Sequence, residues 1–221
     1  MNTGLQRKNS PRLLALEGPA GVGKTTLSQL LSTDKSLAIG QISTISEFST
    51  LPIGQALKAN CESPNHERWA CHLGGLLAFL ADKIMLLENA ASANPSLVIS
   101  DRYVTTQIIL GLAAITDPIS KKTGATFVWE MEKWVQHKFS QDSLVVVLTA
   151  PPHVIKNRLE KRAGRSLLQE EIERIEWEVQ EYNSLPDSMQ TDCTLVSAEG
   201  TPENVANLIK EIFSRAMENS V

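Results

Sequence analysis

Residues 18–26, Gly18-Pro-Ala20-Gly21-Val22-Gly23-Lys24-Thr25-Thr26, satisfy G-x-x-x-x-G-K-[ST] at every fixed position. Glycines let successive backbone N–H groups turn inward, and a helix starting there adds partial positive charge, so the loop can cradle phosphate oxygens. Phosphate contacts are expected from Gly18, Ala20, Gly21, Val22, Gly23, Lys24, Thr25 and Thr26. Lys24 should reach the β and γ phosphates of a nucleoside triphosphate, and the Thr25 hydroxyl should bind Mg2+. A second carboxylate-bearing stretch, Leu97-Val98-Ile99-Ser100-Asp101, ends an apolar run in an acid, so Asp101 is the expected partner of Thr25 at the metal. Arg102 follows at once and would enter the same cleft.

Further along, Arg158, Arg162 and Arg165 recur at i, i+4 and i+7, one face of a helix. Arginines on a mobile segment, here about 158–170, can bring charge to a transferring phosphoryl group and exclude water on closing. Gly164 would suit a hinge in such a lid. The competing reading is a solvated basic face that answers the acidic stretch 170–181.

These groups can meet only if the chain brings the ends of several strands together. Short apolar runs at 13–17, 41–46, 97–100, 144–149 and 194–198 read as strands covered on both faces. Helical patterns lie at 24–32, 52–59, 65–92, 103–115, 125–140, 152–162, 167–184 and 202–218. Pro95, Pro118, Pro151, Pro186 and Pro202 fall between elements. Such alternation predicts an α/β protein of the P-loop NTPase type: a five-stranded parallel sheet flanked by helices in three layers, with a small arginine-bearing lid. Ligands then gather at the carboxyl ends of the strands. One domain is expected over 12–221, behind a loose polar tail at 1–11.

Composition narrows the partners. A net charge of −4 and a pI near 5.6 give no basic surface for nucleic acid. No apolar run approaches the ~20 residues a membrane helix needs, and the polar N-terminus lacks a signal-peptide core, so no membrane partner and a cytoplasmic setting are expected. Cys61, Cys71 and Cys193 are most simply free thiols there. The group Cys61, His66, Cys71, His72 matches none of the common zinc spacings and reads as helix packing.

Several of these stretches together resemble the thymidylate kinase family over nearly the whole chain. The phosphate loop resembles that family's, as do Leu77-Ala78-Phe79-Leu80-Ala81-Asp82-Lys83 and Asp101-Arg102-Tyr103. Glu47-Phe48 with Pro52-Ile53-Gly54 is similar to its Glu-Pro-Gly-Gly-Thr-Pro-x-Gly stretch, and Pro151-Pro152 with 158–165 to its fifth helix and lid. The resemblance implies that ATP with Mg2+ donates its γ-phosphoryl group to a bound nucleoside monophosphate, within a homodimer. It implies catalytic roles for Lys24, Arg102 and the lid arginines, and acceptor contacts from Phe48, Phe79, Lys83, Arg102, Gln107 and Tyr182. From the residues alone, Phe79 is equally a base-stacking platform or plain core.

Departures from the family pattern cluster in the acceptor half. Ala20 stands where the family carries an acid, Ser46 where it carries an arginine, and Lys83 where an arginine faces the base. Lysine keeps charge but loses the planar fork of donors. A monophosphate attacks through an oxygen already anionic and needs cations; a nucleoside hydroxyl needs a base. Glu47, at the end of the second strand, could be that base or a loop-capping acid. A nucleoside or other small-molecule kinase, and a non-catalytic nucleotide-binding regulator, therefore stay open beside the nucleotide kinase.

Overall fold

The structure, a computed structural model, describes residues 10–38, 40–62, 72–139, 143–188 and 193–218. Among these, five strands, β1 (Arg12–Glu17), β2 (Ile42–Ile45), β3 (Leu97–Asp101), β4 (Leu144–Thr149) and β5 (Cys193–Ser197), alternate with helices. The helices are α1 (Lys24–Ser32), α2 (Pro52–Glu62), α3 (His72–Ser92), α4 (Pro118–Lys138), α5 (Pro152–Ala163), α6 (Gln169–Ser188) and α7 (Pro202–Glu218). The strands form one parallel sheet in the order β2-β3-β1-β4-β5. This is the expected three-layer α/β fold.

Alternation along β1 explains the layers. Leu14 and Leu16 face one side, with Leu27 and Leu31 of α1, Ile155 of α5 and Ile209 and Phe213 of α7. Leu13 and Ala15 face the other, with Leu76, Leu80 and Leu87 of α3 and Val128 and Val135 of α4. The central strands β1, β3 and β4 are buried almost throughout and read as near-continuous apolar runs, whereas the edge strands β2 and β5 are only partly buried and carry mixed sequences. Helix α6 spans both layers: Ile175 and Val179 join the first core, Tyr182 and Leu185 the second. Register places Leu16 beside Asp101 and Ile45 beside Ser100. The residues following β1, β2 and β3 therefore emerge side by side.

Two helices depart from expectation. α4 starts at Pro118, seven residues before the expected 125, because the Asp117 side chain accepts from Ser120 N at 2.7 Å and Pro118 takes the first helical position. Gly124 sits inside this helix because a Cβ there would crowd Leu76 and Leu112. Of the helix expected over 103–115, residues 105–113 are helical, but their centre is a π-helical turn, Gln107–Gly111. Wide turns of this kind frequently mark functional sites. No described helix is long and apolar enough to cross a membrane. Residues 1–9 of the expected tail lie outside the described residues, as do 65–71 of the helix expected over 65–92, and His66 and Cys71 of the sulfur–histidine group. Among the described residues no three His, Cys, Asp or Glu side chains gather as a metal set.

Candidate active site

The glycine loop between β1 and α1 depends on backbone that other residues adopt poorly. Gly18, Gly21 and Gly23 have φ of 134, 80 and 115°, and a Cβ on Gly18 would run into the Leu148 carbonyl of β4. Lys24 Nζ folds back onto the loop, donating to Gly18 O at 2.8 Å and Pro19 O at 2.9 Å. Burial, reinforced by the neighbouring Arg102 charge and only partly opposed by Asp101, Glu47 and Glu17, lowers the Lys24 ammonium to about 7.

That shift has a measurable sign. Between about pH 7 and 10.5 the free protein carries less proton on Lys24 than an ordinary lysine would. Phosphate oxygens favour the charged amine, so ATP binding above pH 7 must take up a proton. Calorimetric titration with ATP at about pH 8.5, in buffers of different ionisation enthalpy, should show uptake approaching about one proton. Zero net uptake would remove this account of Lys24. By the same linkage, this group's effect on fold stability improves as pH rises from about 7 to 10.5, where the unfolded chain holds the extra proton.

Around the loop opens a cavity of about 520 Å³ lined by Thr25, Glu47, Asp101 and Arg102, by Arg158 and Arg162 of α5, and by the Ala198–Gly200 turn after β5. Thr25 Oγ1 donates to Asp101 Oδ2 at 2.5 Å, while the buried Asp101 Oδ1 has no hydrogen-bond partner among the described residues. An orphaned carboxylate oxygen beside a hydroxyl is an oxygen-only donor pair that suits a hard cation such as Mg2+. Thr25 and Asp101 would hold the ion, which when bound supplies neutralisation of phosphate charge.

Arg102 stands at the junction. Its backbone is left-handed, φ 65°, held by Arg102 N donating to Leu16 O (3.0 Å) and by Ser100 Oγ donating to Arg102 O (2.5 Å). Its Nε lies 2.7 Å from Glu47 Oε1, an ion pair of a buried guanidinium with a carboxylate 37% exposed. Nη1 faces Gly18 O, Thr106 Oγ1 and Tyr182 OH at 3.2–3.4 Å. Both Glu47 and Arg102 also line a second, small cavity of about 20 Å³, with Phe79, Lys83, Tyr103, Gln107 and Met131 on its walls. That is room for about one water, so any larger occupant requires α3 and the turn after Arg102 to move apart.

The acceptor residues expected from the sequence divide. Phe79 lines the small cavity and packs against Phe48, ring centroids 5.7 Å apart and planes at 46°. Gln107 reaches the same wall from the π turn. Lys83 lines it too, but its amine donates to Ser46 O (3.1 Å) and Asp101 O (3.3 Å), tying the ends of β2 and β3. Burial lowers this lysine to about 8 against the pull of nearby carboxylates. Tyr182 is fully buried behind Arg102 and lines neither cavity.

The three arginines of 158–165 do not act as one face. Arg158 donates to Val22 O (3.0 Å) and Ala198 O (2.6 Å), clamping the glycine loop to the turn after β5. Arg162 lines the large cavity. Arg165 stands outside it, forked on Glu171 through two 2.8 Å bonds. Gly164, at φ 67°, ends α5 as its left-handed cap.

Three buried acids hold this frame, and of them only Asp82 falls within a motif quoted from the sequence. Glu17 accepts from Tyr103 N (2.7 Å), Thr106 N (3.0 Å) and Thr106 Oγ1 (2.6 Å), pinning the turn after Arg102 to the end of β1. Burial raises its carboxyl despite the Thr106 bonds and Arg102. Asp82 accepts from Ser49 N at 2.9 Å and from Ser49 Oγ. Glu178 of α6 accepts from Ala20 N at 3.1 Å. The signal for Glu17 was present: an acid closing an otherwise apolar strand, directly before the glycine loop.

In comparison with known families, the Thymidylate kinase family model aligns with residues 16–209. No curated protein matches the chain in sequence.

Proposed function

The chain belongs to the thymidylate kinase family, and from that premise we propose how its residues divide the reaction. The family activity is that of a nucleotide kinase: the γ-phosphoryl group of ATP passes to dTMP, giving ADP and dTDP. Family membership does not favour the nucleoside-kinase and regulatory alternatives.

The observation that carries the assignment is that Arg102 lines both cavities. The large cavity takes ATP, its phosphates on the glycine loop and Lys24. The small one, opened, takes the base between Phe79 and the π turn, with Phe48 behind Phe79 and the Gln107 amide toward the base edge. Arg102, between them, holds the acceptor phosphate. The attacking oxygen is already anionic, so cations on the transferring group carry the reaction: Lys24, Arg162, and Mg2+ held by Thr25 and Asp101. Arg158 shapes the donor site through its two backbone carbonyls, and Lys83 acts by holding the strand ends. Arg165 joins the site only if the lid, about 158–170, moves it off Glu171.

One domain over 12–221, a homodimer, a cytoplasmic setting and freedom from nucleic-acid and membrane partners belong to the same proposal. The dimer is supported by the family resemblance, and the absence of nucleic acid by the net charge of −4.

Glu47 tests the acceptor class. With a phosphate acceptor it is a rival anion at Arg102, not a base. Glu47→Gln should leave kcat for dTMP within about threefold of wild type and lower the KM for dTMP, since Arg102 is no longer shared. A loss of about 10²- to 10⁴-fold in kcat, the size expected for a missing base, would contradict the assignment.

A further inference from the structure

We propose that Tyr182 is a positioning residue for the acceptor phosphate, acting through Arg102 from the helix that follows the lid. This rests on the reading that Arg102 holds that phosphate.

The hydroxyl sits in a directional chain. Thr106 Oγ1 donates to Glu17 Oε2 at 2.6 Å, which commits its only hydrogen. At the 3.1 Å contact between Thr106 Oγ1 and Tyr182 OH, Tyr182 must therefore be the donor. Its lone pairs are left to accept from Arg102 Nη1 at 3.2 Å. Each donor thus points toward Glu17: arginine to tyrosine, tyrosine to threonine, threonine to carboxylate. Hydrogen bonds aligned this way polarise one another among buried groups.

Packing alone does not require this residue. Tyr182 is fully buried with its ring in the second core, where phenylalanine would fill the same volume. What the hydroxyl adds is a fixed direction for Nη1. The other acceptor off the chain, Gly18 O, lies farther at 3.4 Å and is already held by Lys24 Nζ at 2.8 Å. When Lys24 leaves Gly18 O for ATP phosphates, Tyr182 and Thr106 keep Arg102 where it was. Among the described residues Nη2 meets no hydrogen-bond acceptor, and it is the nitrogen left for a ligand oxygen. One turn earlier on the same helix, Glu178 holds Ala20 N of the phosphate loop, so α6 touches the donor and acceptor halves through separate side chains.

The test is a KM split measured with ATP, Mg2+ and dTMP on the full chain. Tyr182→Phe should raise the KM for dTMP about 3- to 10-fold, the scale of one lost hydrogen bond, with kcat and the KM for ATP within about twofold. Thr106→Val should give the same signature and rescue the design if Tyr182→Phe folds poorly. Arg102→Lys should raise the dTMP KM at least as far, and adding Tyr182→Phe to it should cost little more. If Arg102→Lys raises the dTMP KM while Tyr182→Phe and Thr106→Val do not, the inference fails and the Arg102 reading survives. If Arg102→Lys leaves the dTMP KM unchanged, the Arg102 reading fails and takes the inference with it. A parallel rise in both substrate KM values, with a lowered Tm, would assign Tyr182 to packing alone.

Discussion

Lys24→Ala is expected to lower kcat for dTMP phosphorylation by about 10³-fold or more, the upper end of what one preorganised charge contributes to an oxyanion-like transition state. The amine lies on the Gly18 and Pro19 carbonyls, and Lys24 already lines the large cavity. ATP phosphates would offer it anionic oxygens in place of those two neutral ones, so its contribution appears only with nucleotide bound. The fold should not suffer. Lys24 is 6% exposed and its ammonium, lowered to about 7, carries a desolvation cost, so Tm at neutral pH should stay the same or rise on its removal. Lost turnover with an intact Tm, measured by coupled ADP assay and calorimetry, is the expected pair. Undiminished turnover would refute the phosphate-loop assignment.

Arg102→Ala should cost about 10²- to 10³-fold in kcat/KM for dTMP and leave the KM for ATP within a few-fold. The split follows from position: among the described residues Arg102 is the cation that lines both cavities, whereas Lys24, Arg158 and Arg162 line only the large one. A stability cost accompanies it. Glu17 is fully buried, its carboxyl already raised by burial and held down partly by Arg102. Without that charge the carboxyl should rise further. A folded-state value above the unfolded one makes stability fall as pH climbs from the ordinary 4.5 toward that raised value. The Tm deficit of the variant should therefore be larger at about pH 7.5 than at about pH 5. An equal deficit at both would detach Glu17 from Arg102.

Much of this site was legible in the chain because it rests on local patterns. The glycine loop, the acid closing β3 and the five strands need only short-range spacing and hydrophobic runs, and parallel topology then forces their carboxyl ends together. What stayed hidden depends on where side chains go after packing. Lys83 lies four residues after Phe79 on α3 and shares its wall, yet its amine is spent on two carbonyls that only the β2–β3 register brings within reach. The i, i+4, i+7 spacing of the three arginines was correct as spacing, but Val22 and Ala198 capture one and Glu171 another. The π turn after Arg102 has no distinctive period; it follows a segment anchored by Glu17 from a strand 86 residues earlier in sequence. Tyr182 was expected at the acceptor and lies one shell behind it, a difference that no pattern in α6 encodes.

The most direct measurement of the whole account is chromatographic separation of nucleotides after incubation of the protein with ATP, Mg2+ and either dTMP or thymidine. The family assignment and the two-cavity site predict dTDP and ADP in equal amounts with dTMP, and little ADP above the acceptor-free rate with thymidine. ADP released without dTDP, or phosphorylation of thymidine in preference to dTMP, would contradict it.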